Sequence, residues 1–257
     1  SEGVHRATIA PRNKSATFDL TASLRSITVS AATAVPGQSI TLSGDGYTKN
    51  GTLAADTGLV MKAGTVTTTA AVNSAAVSID STGSWSYSTI FPVLEETSGK
   101  GVSNTIVFTA TDSGSLVGVS DTSFKRTTKA VTLSPTTINP GEALTVTVAG
   151  FTVDSISTDT TGAQFTVTMR TGTGVTGDAI TLTGTSTFPI GSDGTGVGTV
   201  TIPTTVTAGT RYVTVTDNAA TVGGSTVDNN NTKEVSISVP KGVITVSPTS
   251  VSTGNTI

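Results

Sequence analysis

Apolar residues alternate with threonine and serine in short runs along most of the chain. Leu144, Val146 and Val148 are separated by Thr145 and Thr147, and Phe165, Val167 and Met169 by Thr166 and Thr168. A period of two puts one set of side chains on a buried face and the other in water, which predicts strands. Ile180 and Leu182, Val213 and Val215, and Val235, Ile237 and Val239 continue the series. In the first half Ile40 and Leu42, Val77 and Ile79, Trp85, Tyr87 and Phe91, and Ile106, Phe108 and Ala110 do the same. Turn-forming Gly, Pro, Asn and Asp fall between the runs. Each half therefore reads as about seven short strands, the signature of an antiparallel β-sandwich.

The two halves are copies of one another. ITVSAATAVPGQSITLSGDGY at 27–47 aligns without gaps with VTLSPTTINPGEALTVTVAGF at 131–151, and ITVSPTSVSTGNTI at 244–257 repeats the same opening. Further matches join DSTGSWSYSTIFP (80–92) to GSDGTGVGTVTIP (191–203), and the run ending in Asp112 to the run ending in Asp217. A repeat of roughly 100–115 residues is domain-sized, so the pattern predicts a tandem array rather than a solenoid. In Pro36-Gly37 and Pro140-Gly141, Pro presets φ near −65° and Gly accepts a positive φ, which suits a turn folding one strand back on the next.

The expected units are residues 26–129 and 130–242, followed at 243–257 by the opening hairpin of a third, incomplete repeat. Their junctions are short, so neighbouring units should abut with little freedom. Residues 1–25 read as an N-terminal arm with one strand, in which Phe18, Leu20, Ala22 and Leu24 alternate with polar residues. No partner is apparent nearby, so it is expected to be the end of a preceding domain or a donated strand. SEGVHRATIAPRNKS lacks the apolar stretch of a secretion signal and reads as the start of a processed chain or a fragment.

Composition sharpens this picture. Threonine makes up roughly a fifth of the 257 residues, and its β-branched side chain suits pleated strands. Charged residues are only 12% and the net charge is −3, which speaks against a nucleic-acid partner. No apolar run approaches the ~18 residues a membrane span needs. With no cysteine, disulfide and thiol chemistry are absent.

The opening with Ser134-Pro135, Pro140-Gly141 and Gly150-Phe151, its counterpart Gly46-Tyr47, and the DSTGSW turn at 80–85 resemble prokaryotic immunoglobulin-like cell-surface domains. Such domains occur in S-layer proteins and adhesins. The resemblance implies tandem antiparallel Ig-like β-sandwiches in an extracellular, cell-surface setting. It also implies that junctions can be stiffened by calcium held on oxygen ligands. Asp112 and Asp217, which end equivalent strands, and Asp80 and Asp193, in equivalent turns, are the candidate ligands; the same residues serve equally as ordinary turn formers. No other cofactor is expected.

An enzyme is not expected. The single histidine, His5, lies in the arm, away from any nucleophile motif, and Glu95 and Glu96 are adjacent rather than opposed across a cleft. Three glycosylation sequons begin at Asn13, Asn50 and Asn230. The function these features point to is structural: an S-layer subunit or a segment of one, whose partners are copies of itself in a lattice. The alternatives are a pilin that forms filaments by donating the strand near residue 20, and an adhesin stalk, spacer or carbohydrate-binding module. Binding of surface glycans would need an exposed aromatic platform. Trp85 and Tyr87 fall in register with Phe91 and are expected in the core instead.

Overall fold

Alternation in the sequence becomes alternation in burial. In the strand Ser39–Asp45, Ile40 and Leu42 are buried between half-exposed neighbours; in Ala143–Ala149, Leu144, Val146 and Val148 take the same places. The structure, a computed structural model, describes residues 4–9, 16–21, 25–63, 70–91, 105–121, 123–153, 163–174, 176–218, 221–222, 225–226 and 232–242. It is all-β, with two successive sandwiches of antiparallel sheets of the immunoglobulin-like type.

Each sandwich has a three-stranded sheet in the same order. In the first, Ser39–Asp45 lies between Trp85–Ile90 and Ser26–Val29; in the second, Ala143–Ala149 lies between Gly196–Thr201 and Ala130–Ser134. The facing sheet of the first sandwich runs Val117–Val119, Ile106–Thr111, Leu59–Ala63, Ala70–Ala71. That of the second runs Ala179–Ile180, Gln164–Arg170, Gly209–Asp217, Thr232–Val239, with Thr187–Pro189 also against Gln164–Arg170.

The strands are shorter and more numerous than seven per repeat, because the chain changes sheet. Thr33–Ala34 leaves the first sheet and pairs in parallel with Lys125–Arg126. The equivalent Thr137 bridges Ser238 in parallel, and Ile138 N–H donates to Ser238 C=O. One edge of each sandwich is thereby tied to the other sheet, which leaves less unpaired backbone for adventitious pairing.

Two separate cores result, sharing no residue. Leu42, Leu59, Met61, Trp85, Phe91, Ile106, Phe108 and Phe124 fill the first; Leu144, Val146, Phe151, Phe165, Val167, Met169, Val213 and Val215 fill the second. Aromatic edges meet faces in both, Phe91 against Phe124 at 5.4 Å and Phe151 against Phe165 at 6.2 Å. Such pairs add to the ~1.5–3 kcal/mol that burying each large apolar side chain contributes. Trp85 is 4% exposed and packs edge-on to Tyr47, so it offers no exposed platform for a sugar. Burial pushes the Tyr47 phenol up to about 12, which keeps it neutral inside the core.

One expectation is corrected. The strand in the N-terminal arm, read as lacking a local partner, is Ala16–Thr21, and it pairs antiparallel with Val4–Ile9. His5 stands opposite Leu20 in that hairpin. Charged and polar residues in VHRATI hide its alternation, which is why the sequence alone did not show it. The third opening at 243–257 lies outside the described residues. Among the described residues no helix is long and apolar enough to cross a membrane.

Candidate functional site

The feature that both sandwiches build, and that joins them, is the pole carrying the Gly-aromatic-Thr segment. In the first, Tyr47 N–H donates to Gly83 C=O at 3.1 Å, and Thr48 N–H donates to Asp112 Oδ2 at 2.7 Å. In the second, Phe151 N–H donates to Gly194 C=O at 3.1 Å, and Thr152 N–H donates to Asp217 Oδ2 at 2.9 Å. The aromatic ring enters the core while the next amide is capped by a carboxylate from the end of a distant strand. A backbone N–H buried without such an acceptor would cost roughly 1–3 kcal/mol.

The carboxylates singled out in the sequence thus have defined tasks. Asp112 Oδ1 also accepts from Gly114 and Leu116 N–H, both at 2.9 Å. Burial acts to raise its carboxyl, but the amides of Thr48, Leu116 and Gly114 outweigh it and the net direction is down. Asp80 accepts from the Thr82 hydroxyl at 2.6 Å, Ser84 N–H at 2.9 Å and Thr82 N–H at 2.8 Å. The Thr82 hydroxyl first, then those amides, hold it down to about 2. Asp193 is lowered in the same way by the Thr195 hydroxyl and amide. The two turns share their backbone bonds (Asp80 N–H to Ser84 C=O, Gly191 N–H to Thr195 C=O), but the carboxylates sit at different positions within them. Among the described residues no three His, Cys, Asp or Glu side chains gather in a way that could hold a metal ion.

Asn50 is exposed at a turn with φ 54°, an accessible place for its sequon. Asn13, Asn230, Glu95 and Glu96 lie outside the described residues.

Between the sandwiches, the Pro-Gly turn of the first docks on the pole of the second. Pro36 C=O accepts from Val153 N–H at 3.0 Å, and the Gln38 side-chain amide donates to Ser192 C=O at 3.1 Å. Val35, 2% exposed, packs close above Gly194. The cleft left beside these contacts, about 700 Å³, is lined by Ala34, Ile40, Ile90, Val153 and Ile190, and its lining carries no ionisable side chain. The pole of the second sandwich also holds a charge pair that the sequence did not disclose. Lys129, which precedes the first strand of the second sandwich, has Nζ 3.0 Å from Asp217 Oδ2, with both side chains 0% exposed, and Nζ sits 5.8 Å from the Phe151 ring centre. The one sequence signal was a basic residue two places before the first apolar residue in both repeats, Arg25 and Lys129.

The docking rests on Gly37, whose φ is 93° and whose missing Cβ would lie 2.6 Å from Val153 O. Gly141 holds the same turn in the second sandwich at φ 86°, where a Cβ would meet only Thr204 Cγ2 at 3.3 Å. Gly37→Val and Gly141→Val should therefore carry a similar backbone penalty of ~1–2 kcal/mol, while only the first undocks the sandwiches. Small-angle scattering of the two variants checks this, with a broadened distance distribution expected for Gly37→Val alone.

No protein-family model and no curated protein matches the chain. Among solved structures it is similar to a tetra-tandem repeat from the extending region of a large adhesion protein, at 18% identity over 91% of this chain and 55% of that one, with TM-score 0.27. It is also similar to the Escherichia coli adhesin FdeC, at 15% identity over 86% of this chain and 65% of that one, with TM-score 0.25. The chain spans 55% and 65% of the length of these two structures. The fold assignment rests on the sheets themselves.

Proposed function

We propose that this chain is a structural, extracellular cell-surface protein, in which sandwiches docked in series act as a stiff spacer or stalk. The observation that carries the reading is the junction. A short connection, two hydrogen bonds from the Pro36–Gln38 turn and a buried ion pair at the base of the second sandwich favour a fixed relation between neighbours over a flexible tether. A stalk must transmit length and force, and such a joint suits that work.

The S-layer form of the same reading has separate support. A surface poor in charge costs little to desolvate when copies pack side by side. Val117 and Val119, 48% and 53% exposed on an edge strand, and Val197 at 62% provide apolar contact points. The filament reading by strand donation has lost the unpaired strand on which it was drawn, because Ala16–Thr21 already has a partner. Immunogold imaging of native cell envelopes with an antibody to this chain tests the proposal. Label on projecting stalks or on an ordered two-dimensional lattice is expected; label confined to the cell interior, or protein found only as dispersed monomers in the medium, overturns it.

A further inference from the structure

We propose that Lys129 and Asp217 condense into an amide cross-link within the second sandwich. The amine nitrogen is already 3.0 Å from Asp217 Oδ2, and both side chains are 0% exposed. Holding a nucleophile and its target at contact distance removes most of the entropic cost of joining them. Water, which would keep both groups charged and compete for the carboxyl, is shut out by the Phe151 ring and the surrounding core.

The polar inventory of the site is unbalanced in a way a plain ion pair does not explain. Asp217 Oδ1 and Thr152 Oγ1 are buried, and among the described residues neither has a hydrogen-bond partner. The equivalent site in the first sandwich differs on both counts. There both Asp112 oxygens accept backbone amides, and the residue equivalent to Lys129 is Arg25. A guanidinium stays protonated and is no nucleophile, whereas a desolvated lysine amine is one. The two copies of one fold thus differ in the places that condensation requires.

The step balances without any co-reactant. The Lys129 ammonium gives one proton to Asp217 Oδ2, 3.0 Å away. The free amine attacks Cγ, forming the C–N bond, and negative charge gathers on Oδ1. The nitrogen then passes a second proton to Oδ2. Oδ2 departs as water, the C=O re-forms at Oδ1, and the amide keeps one N–H. The product ties the entry of the second sandwich to the end of the strand Gly209–Asp217, so that a pull on the junction passes through a covalent bond rather than through the sheet alone.

Intact mass spectrometry of the full chain under denaturing conditions tests this. The expected mass is that of the sequence less one water, with a peptide map showing Lys129 joined to Asp217, and with Lys129→Arg restoring the full mass. A wild-type mass equal to that of the sequence overturns the proposal, whatever the variant does. So does a deficit that persists in Lys129→Arg or maps elsewhere.

Discussion

Replacing Asp217 with alanine should cost the second sandwich about 3–5 kcal/mol, the range for removing one partner of a buried ion pair. The side chain is fully enclosed and serves two groups, the Lys129 ammonium at 3.0 Å and the Thr152 amide at 2.9 Å. Truncation takes the carboxylate away from a buried cation and takes the acceptor away from the Thr152 N–H at the same time. If the two residues are joined covalently, the same substitution also removes the cross-link, and the effect has the same sign. Asp217→Asn keeps an acceptor for Thr152 while removing the charge, so its loss should be smaller. Urea denaturation followed by a probe in the second sandwich measures both variants. A loss for Asp217→Ala below about 1 kcal/mol, the range of exposed pairs, would show that the pair is not buried as described.

The same site shows where sequence reasoning reaches and where it stops. Alternation identified the inner faces, because Leu144, Val146 and Val148 could be buried together only on a strand. The Pro-Gly pairs announced their turns, since a positive φ at Gly37 and Gly141 is a local property of two residues. Aligning the repeats found Asp112 and Asp217 as equivalents. It did not show that each carboxylate turns inward to cap the amide after the buried aromatic, because that amide lies far away in sequence. Lys129 was hidden for the same reason. Read locally it is one of a few basic residues in a short junction, and its partner Asp217, 3.0 Å away in space, lies far along the chain. The hairpin partner Val4–Ile9 escaped notice because His5 and Arg6 interrupt the pattern that would mark a strand. What the sequence carried was local geometry and periodicity; what it withheld was pairing across long separations.

Two cores without a shared residue make a further outcome definite. Phe165→Ala should lower the stability of the second sandwich by about 3–5 kcal/mol, the usual loss for a buried aromatic cut back to a methyl group. Phe165 is 0% exposed and touches the rings of both Phe151 and Phe188, so the cavity opens at the centre of the core where relaxation is hardest. In calorimetry the variant should separate two transitions, with only the second sandwich melting early. How far the first follows measures the junction itself. The first sandwich loses the docking contacts of Val35, Pro36 and Gln38 when its neighbour unfolds, and the two hydrogen bonds among them contribute about 1–3 kcal/mol together. Its midpoint should therefore fall by about 5–14 °C. A single cooperative transition in Phe165→Ala would mean that the sandwiches stand or fall as one body, and would move the source of stiffness from the joint to the pair. Two transitions would describe two units that unfold independently, joined by a docking that either can lose.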